Sequence, residues 1–135
     1  MRKIYLLIAV SFLFCSTIFG QPKAQRLVLI EQLTQASCGY CPAANATLKT
    51  LVNGNPGKVI DLKYQVSWPG YDPMYLENTA DPTARVNYYG TTGVPETQMD
   101  GTKMTTIPTQ TQLNTEYAVT SPFTINVSHT MASDY

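Results

Sequence analysis

The sequence predicts an α/β fold in which helices flank a mixed sheet and a last strand is left over at the C-terminal end. Three observations lead there. An apolar run over residues 26–33 gives way within a few residues to Cys38-Gly39-Tyr40-Cys41 and then to strong helix formers. A second apolar run follows that helix, and two strands joined through a helix pair in parallel. Later, Asp100-Gly101 marks a two-residue hairpin, which adds an antiparallel pair.

Each element has its own signal. Leu27, Val28, Leu29 and Ile30 have the composition of a strand buried on both faces. Residues 34–37 then turn the chain toward the cysteines. Pro42 suits the first turn of a helix, where a missing N–H costs nothing. Ala44, Leu48, Leu51 and Val52 give that helix one apolar face, and Asn53-Gly54-Asn55-Pro56-Gly57 ends it. Residues 58–68 read as a second strand, with Leu62, Tyr64 and Val66 in clean alternation.

Trp68-Pro69-Gly70-Tyr71-Asp72-Pro73 is a rigid loop whose aromatic residues are expected to pack it onto the sheet, a recognition surface near the cysteines being the alternative. Residues 81–89 read as a helix with Asp81 as N-cap and Pro82 in first place. Glu96-Thr97-Gln98-Met99 and Lys103-Met104-Thr105 flank the hairpin turn; the polar first strand suggests a place near the sheet edge. Residues 107–117 form the last helix. Residues 121–128 alternate apolar and polar like a half-buried strand, with no partner in sequence. They are expected to be an edge strand or the start of a β region that the chain does not complete.

The 135 residues suffice for one domain. Nine basic and nine acidic side chains leave no basic stripe, which argues against a nucleic-acid partner. Residues 1–20 read as a secretory signal: Arg2-Lys3, an apolar stretch, then small residues before Gln21. The stretch falls short of the roughly 20 residues that cross a bilayer, so no transmembrane span is expected in the mature chain. Removing the signal leaves seven basic and nine acidic residues, a net charge of −2, with nothing to draw the protein to anionic lipid. Cys15 offers lipidation as an alternative, becoming the new N-terminus, but Phe14 stands where a small residue is expected. The domain itself is expected over residues 21–119, with 120–135 opening the β region.

Without Cys15, two cysteines remain, both in one motif. A bridge over so short a loop restrains little unfolded-chain entropy, so local chemistry explains the pair better than stapling. Two thiols at the start of a helix suit dithiol–disulfide exchange. Unpaired N–H groups favour the thiolate of Cys38, and Cys41 is close enough to resolve a mixed disulfide. Gly39 and Tyr40 carry no positive charge, which places the expected potential nearer a reductant (about −270 mV) than a strong oxidant (about −120 mV). No metal or other cofactor is expected. A structural zinc site needs four ligands, and His129 is the single histidine.

In order, the strand, Cys38-Gly39-Tyr40-Cys41, the helix and Gly93-Val94-Pro95 before a short hairpin resemble the thioredoxin fold. More narrowly, Val28-Leu29-Ile30-Glu31, Cys38-Gly39-Tyr40-Cys41-Pro42-Ala43-Ala44, Ser67-Trp68-Pro69-Gly70, Asp72-Pro73-Met74-Tyr75 and Tyr88-Tyr89-Gly90 resemble an outer-membrane-protein family of Bacteroidetes that begins with such a domain. The likeness runs from about residue 27 to 101. It implies a cis Pro95 lying with Val94 against the cysteines, Cys38 as nucleophile and Cys41 as resolving thiol. It also implies that Glu31 stands for the buried acid of thioredoxins, although its spacing to Cys38 is one residue longer. Ser37 stands where many thioredoxins have Trp.

The expectation is therefore an exported thiol–disulfide oxidoreductase-like protein, acting on exported protein thiols or disulfides in the periplasm or at the outer membrane or cell surface of a Gram-negative bacterium. The alternative is a non-catalytic binding or display module of the cell envelope whose Cys38–Cys41 bridge stays oxidised.

Overall fold

The computed structural model describes residues 23–128 and 130. The expected signal with Cys15, and His129, lie outside the described residues. Residues Gln25–Val119 form one compact unit. Its longer elements follow the predicted order of strand, helix, strand, helix, hairpin and helix. Strand β1 (Ala24–Gln25) and strand β2 (Val28–Thr34) precede helix α1 (Cys41–Asn53) and strand β3 (Val59–Gln65). Helices α2 (Pro73–Glu77) and α3 (Ala80–Tyr89) come next. Strands β4 (Glu96–Met99) and β5 (Thr102–Met104) and helix α4 (Gln110–Tyr117) complete this unit, and strand β6 (Thr120–Ser121) falls outside it.

The main sheet has the order β3-β2-β4-β5. β2 pairs in parallel with β3, Val28 opposite Val59 through Thr34 opposite Gln65, and antiparallel with β4, Ile30 opposite Met99 and Leu33 opposite Glu96. This is the mixed, thioredoxin-like sheet that the alternation of strands and helices predicts. β1 and β6 form a separate two-stranded sheet.

Side chains alternate across a strand, and β2 shows what that does. Val28 and Ile30 face α1 and α4, where they form the core with Leu48, Leu113 and Met99. Thr34, on the same face, lies 3.5 Å from the Asn45 amide of α1. Leu29, Glu31 and Leu33 face the other way, toward α3. There Arg85 stacks over the Tyr64 ring and reaches Glu31. Helices thus cover both faces of the sheet.

The Asp100-Gly101 turn has positive φ at both residues (47° and 80°), as a two-residue hairpin demands. Asp100 also accepts the Leu29 N–H (2.9 Å) and pairs with Arg26 (2.9 Å), which in turn holds Glu116 of α4 (2.6 Å). The turn therefore locks the hairpin to both β2 and the last helix.

Four details differ from the sequence reading. β4 is an inner strand, not near an edge: it pairs on both sides and all four residues are buried. Its polarity is accommodated because Glu96 accepts hydrogen bonds from Thr91 (2.7 Å) and Gln98 (2.8 Å) and pairs with Lys103 of β5. A short helix, α2, interrupts the loop after Asp72. α3 starts at Ala80, with Asn78 rather than Asp81 tying its first turn: the Asn78 amide bonds the Asp81 carboxylate (2.9 Å) and accepts its N–H (3.3 Å). α4 starts at Gln110, behind a capping box between Thr109 and Gln112.

At the C-terminal end, strand geometry is confined to Thr120–Ser121. Phe123, Ile125 and Val127 stand exposed, and none has a sheet partner among the described residues. Alternation alone does not make a strand, because a strand is stabilised by its neighbour across the ladder.

Candidate functional site

β2 ends at Thr34, and the next residues fold into a tight turn: the Cys38 N–H bonds the Gln35 carbonyl (3.2 Å). Cys38 and Cys41 are joined in a disulfide, with Cα atoms 5.4 Å apart. Cys41 is the first residue of α1, and its N–H points at the Cys38 sulfur (3.1 Å). The free N–H groups of a helix start favour negative charge there. Cys38 is therefore the sulfur that the backbone is arranged to stabilise as a thiolate. It is also the more accessible one, 5 % exposed against 1 % for Cys41.

Val94 and Pro95 come from the loop between α3 and β4. The Val94–Pro95 bond is cis, and the Val94 carbonyl oxygen lies 3.6 Å from the Cys38 sulfur. The structure thus brings together Cys38, Cys41, Val94 and Pro95 from segments more than fifty residues apart. Gly39 and Tyr40 cap the bridge on its solvent side. A Cβ at Gly39 would meet nothing within 4 Å, so no steric contact requires glycine there.

Glu31 is not part of this cluster. It lies on the α3 face of β2, accepts the Tyr89 hydroxyl and pairs with Arg85 at 3.2 Å. Burial, and then the hydrogen bond to Glu31, push the Tyr89 phenol up to about 12. Tyr64 first, and then the Glu31 charge, hold the Arg85 guanidinium above its ordinary range. The residue that occupies the α1 face between Ile30 and Thr34 is Gln32, fully buried with neither side-chain amide atom hydrogen-bonded. One residue of extra spacing puts the acid on the opposite side of the sheet.

A second loop supports the cysteine turn. Asp72, buried, accepts the Ala36 N–H (2.8 Å) as well as the Met74 and Tyr75 N–H groups that open α2. The Gln35 amide donates to the Gly70 carbonyl (2.6 Å), and the Ser37 hydroxyl to the Tyr71 carbonyl (2.6 Å). Gly70 is packed so close to Ser37 that a Cβ would sit 3.1 Å from its side chain. The loop residues therefore build the platform on which Cys38 rests, rather than merely lying on the sheet. Trp68, half-buried, enters this loop through a cis bond to Pro69.

The residues that sequence reasoning did not assign to the site are Gln35, Asp72, Thr91 and Glu96. Asp72-Pro73 carries a readable signal, since an acid followed by proline is a helix start. Gln35 carries none, because its bond to the Gly70 carbonyl joins segments 35 residues apart; Thr91 and Glu96 bond each other across the few residues that lead into β4, on no pattern a sequence displays. Among the described residues no group of three or more His, Cys, Asp or Glu side chains gathers to hold a metal ion. Nor is any helix among them long and apolar enough to cross a membrane.

The chain matches no protein-family model and no curated protein. The site's own geometry carries the functional argument.

Proposed function

We propose that this protein is an exported thiol–disulfide oxidoreductase-like protein that exchanges disulfides with other exported proteins through Cys38 and Cys41. The observation that carries the reading is the Cys41 N–H directed at the Cys38 sulfur from the start of α1. A bridge kept only for stability has no need of a donor aimed at one of its sulfurs.

In the oxidised state, a partner thiolate attacks Cys38 and Cys41 departs as a thiolate. A second partner thiolate then attacks the mixed disulfide, and Cys38 departs. The partner dithiol becomes a disulfide, the Cys38–Cys41 pair takes up the two electrons, and the two protons end on the Cys38 and Cys41 thiols or in solvent. The reverse sequence reduces a partner disulfide. The helix start and the Cys41 N–H stabilise Cys38 as the departing or attacking thiolate. The Val94 carbonyl opposes them, because its oxygen faces the same sulfur and accepts a hydrogen bond only from the thiol. These opposed effects, with no positive charge on Gly39 or Tyr40 between the cysteines, support a potential nearer a reductant than a strong oxidant.

The exported address rests on the signal-like residues 1–20, and the envelope of a Gram-negative bacterium on the likeness to the Bacteroidetes outer-membrane family. A second reading has one observation behind it: both cysteines are largely buried, as they would be in a display module with a permanent bridge. An insulin-reduction assay of the wild type against Cys38→Ser decides between them. Wild-type turnover that the variant abolishes supports exchange; equal, background rates leave the permanent bridge. A midpoint below about −300 mV also points to the bridge.

A further inference from the structure

We propose that β3 pairs with the β3 of a second copy of this chain, antiparallel about Leu62, and so joins two four-stranded sheets into one. The inference concerns a different surface from the cysteine pair and does not depend on the exchange reading.

The sheet order β3-β2-β4-β5 leaves β3 and β5 at its edges, and among the described residues no strand pairs with the outer side of either. The two edges are unlike. β5 is three residues long and carries Lys103, and a short, charged strand makes a blunt edge. β3 runs for seven residues, Val59–Gln65, without proline or glycine. Bonds at its two ends show which backbone groups are free. The Lys58 carbonyl accepts the Val28 N–H (2.9 Å), and the Val66 N–H donates to the Thr34 carbonyl (3.0 Å). Backbone groups alternate along a strand, so residues 58, 60, 62, 64 and 66 turn theirs to β2. Val59, Asp61, Lys63 and Gln65 turn their N–H and C=O groups outward. Such a row is a template for another strand.

The side chains on this edge are self-complementary. Asp61 and Lys63 share one face of the sheet, 3.6 Å apart. Ile60 and Leu62 share the other, 44 % and 42 % exposed. With a two-fold axis at Leu62, Asp61 lies opposite the second copy's Lys63, and Lys63 opposite its Asp61. Both are outward-bonding positions, so the charge pairs coincide with the pairs that exchange two N–H···O bonds. On the other face Leu62 meets Leu62, and Ile60 meets Tyr64. Moving the axis to Asp61 or to Lys63 keeps the ladder but sets like charges directly opposite, which destabilises it. A lone lysine would guard the edge; with Asp61 two residues before it, the pair selects one register. The Asp61 Oδ1 is also buried without a hydrogen-bond partner among the described residues, and an opposite lysine brings a donor to that face.

The arrangement leaves the cysteines free. Cys38 follows the C-terminal end of β2, which runs parallel to β3. Antiparallel joining therefore puts the two cysteine turns at opposite ends of the combined sheet.

The test is sedimentation velocity on the mature protein, two single variants and their mixture. The contact is small, so the wild-type dimer should be weak, half-associated at about 10–100 µM. Lys63→Asp sets Asp opposite Asp, and Asp61→Lys sets Lys opposite Lys. Each variant alone should dimerise at least about tenfold more weakly. Mixed in equal amounts they should associate again, because every Asp then faces a Lys. A folding defect cannot produce that rescue, and high salt should weaken it. A wild type that stays monomeric up to about 1 mM would overturn the proposal. So would single variants that dimerise as the wild type does, which would place association on another surface, or a mixture that stays monomeric.

Discussion

The Asp72 carboxylate accepts the Ala36 backbone N–H at 2.8 Å, two residues ahead of Cys38. The same carboxylate caps α2 through Met74 and Tyr75. One buried side chain thus fixes both the turn that carries Cys38 and the helix behind it. Asp72→Ala leaves three N–H groups without that acceptor and should cost about 2–3 kcal/mol of stability. Asp72→Asn keeps a carbonyl oxygen and should cost less. Urea unfolding of the two variants checks the order; equal losses would mean that the charge, not the acceptor geometry, matters.

The bridge itself should contribute little to stability. A loop of four residues gives about 2 kcal/mol in the chain-entropy treatment, against roughly 2–5 kcal/mol for native bridges in small secreted domains. The core of Val28, Ile30, Leu48, Met99 and Leu113 does not depend on it. The reduced protein should therefore remain folded, with a modestly lower Tm and native far-UV circular dichroism. Unfolding on reduction would identify the bridge as a structural staple and favour the permanent bridge over exchange.

Tyr89 ties stability to alkaline pH. Its phenol, desolvated and bonded to Glu31, titrates at about 12 in the folded protein and near 10 in the unfolded chain. The folded state then holds the proton more tightly. The stabilisation is complete below pH 10 and is lost as pH rises from 10 to 12, because the unfolded state ionises first. Tyr89→Phe should flatten the stability profile over that window. At neutral pH it should also cost about 1–2 kcal/mol, since Glu31 keeps Arg85 but loses its hydroxyl donor. A profile unchanged by the substitution would show that another group governs the alkaline limb.

Much of this fold is legible in the sequence where a residue's role is local. Asp100-Gly101 announces its hairpin because few other pairs accept positive φ at both positions. Pro42 and the apolar stripe of α1 announce the helix behind the cysteines for similar reasons. Thr109-x-x-Gln112 is an equally local signal, and it gives the true start of α4 better than the apolar Ile107 does. What stays hidden is whatever depends on how side chains meet in three dimensions. Glu96 looks unfit for an inner strand until Thr91, Gln98 and Lys103, all within seven residues of it, turn toward it. Ser37 looks like a lost aromatic until its hydroxyl is seen to hold the Tyr71 carbonyl of the supporting loop. Glu31 lies within a strand that is easy to read, yet the face it points to depends on register to the single residue.

That register leads to a last prediction, at Gln32. It lies on the α1 face of β2, beside Thr97 in the ladder, fully buried, with both amide atoms unpartnered. Burying such a group without a hydrogen bond costs about 1–3 kcal/mol, and an apolar side chain of similar size avoids that cost. Gln32→Leu or Gln32→Met should therefore raise stability by about 1–2 kcal/mol, which denaturant unfolding with an unchanged m-value would show. The core around it need not rearrange, because Ile30 and Leu48 already make this side of the sheet apolar. A loss of stability in both variants would mean that the amide is satisfied in solution, and a buried water bonded to it would then be the natural partner. Because Gln32 sits beneath the helix that carries Cys41, the midpoint potential should be measured on the same samples. A shift that accompanies the stability gain would make this glutamine part of the redox site, whereas an unchanged potential would confine it to the core.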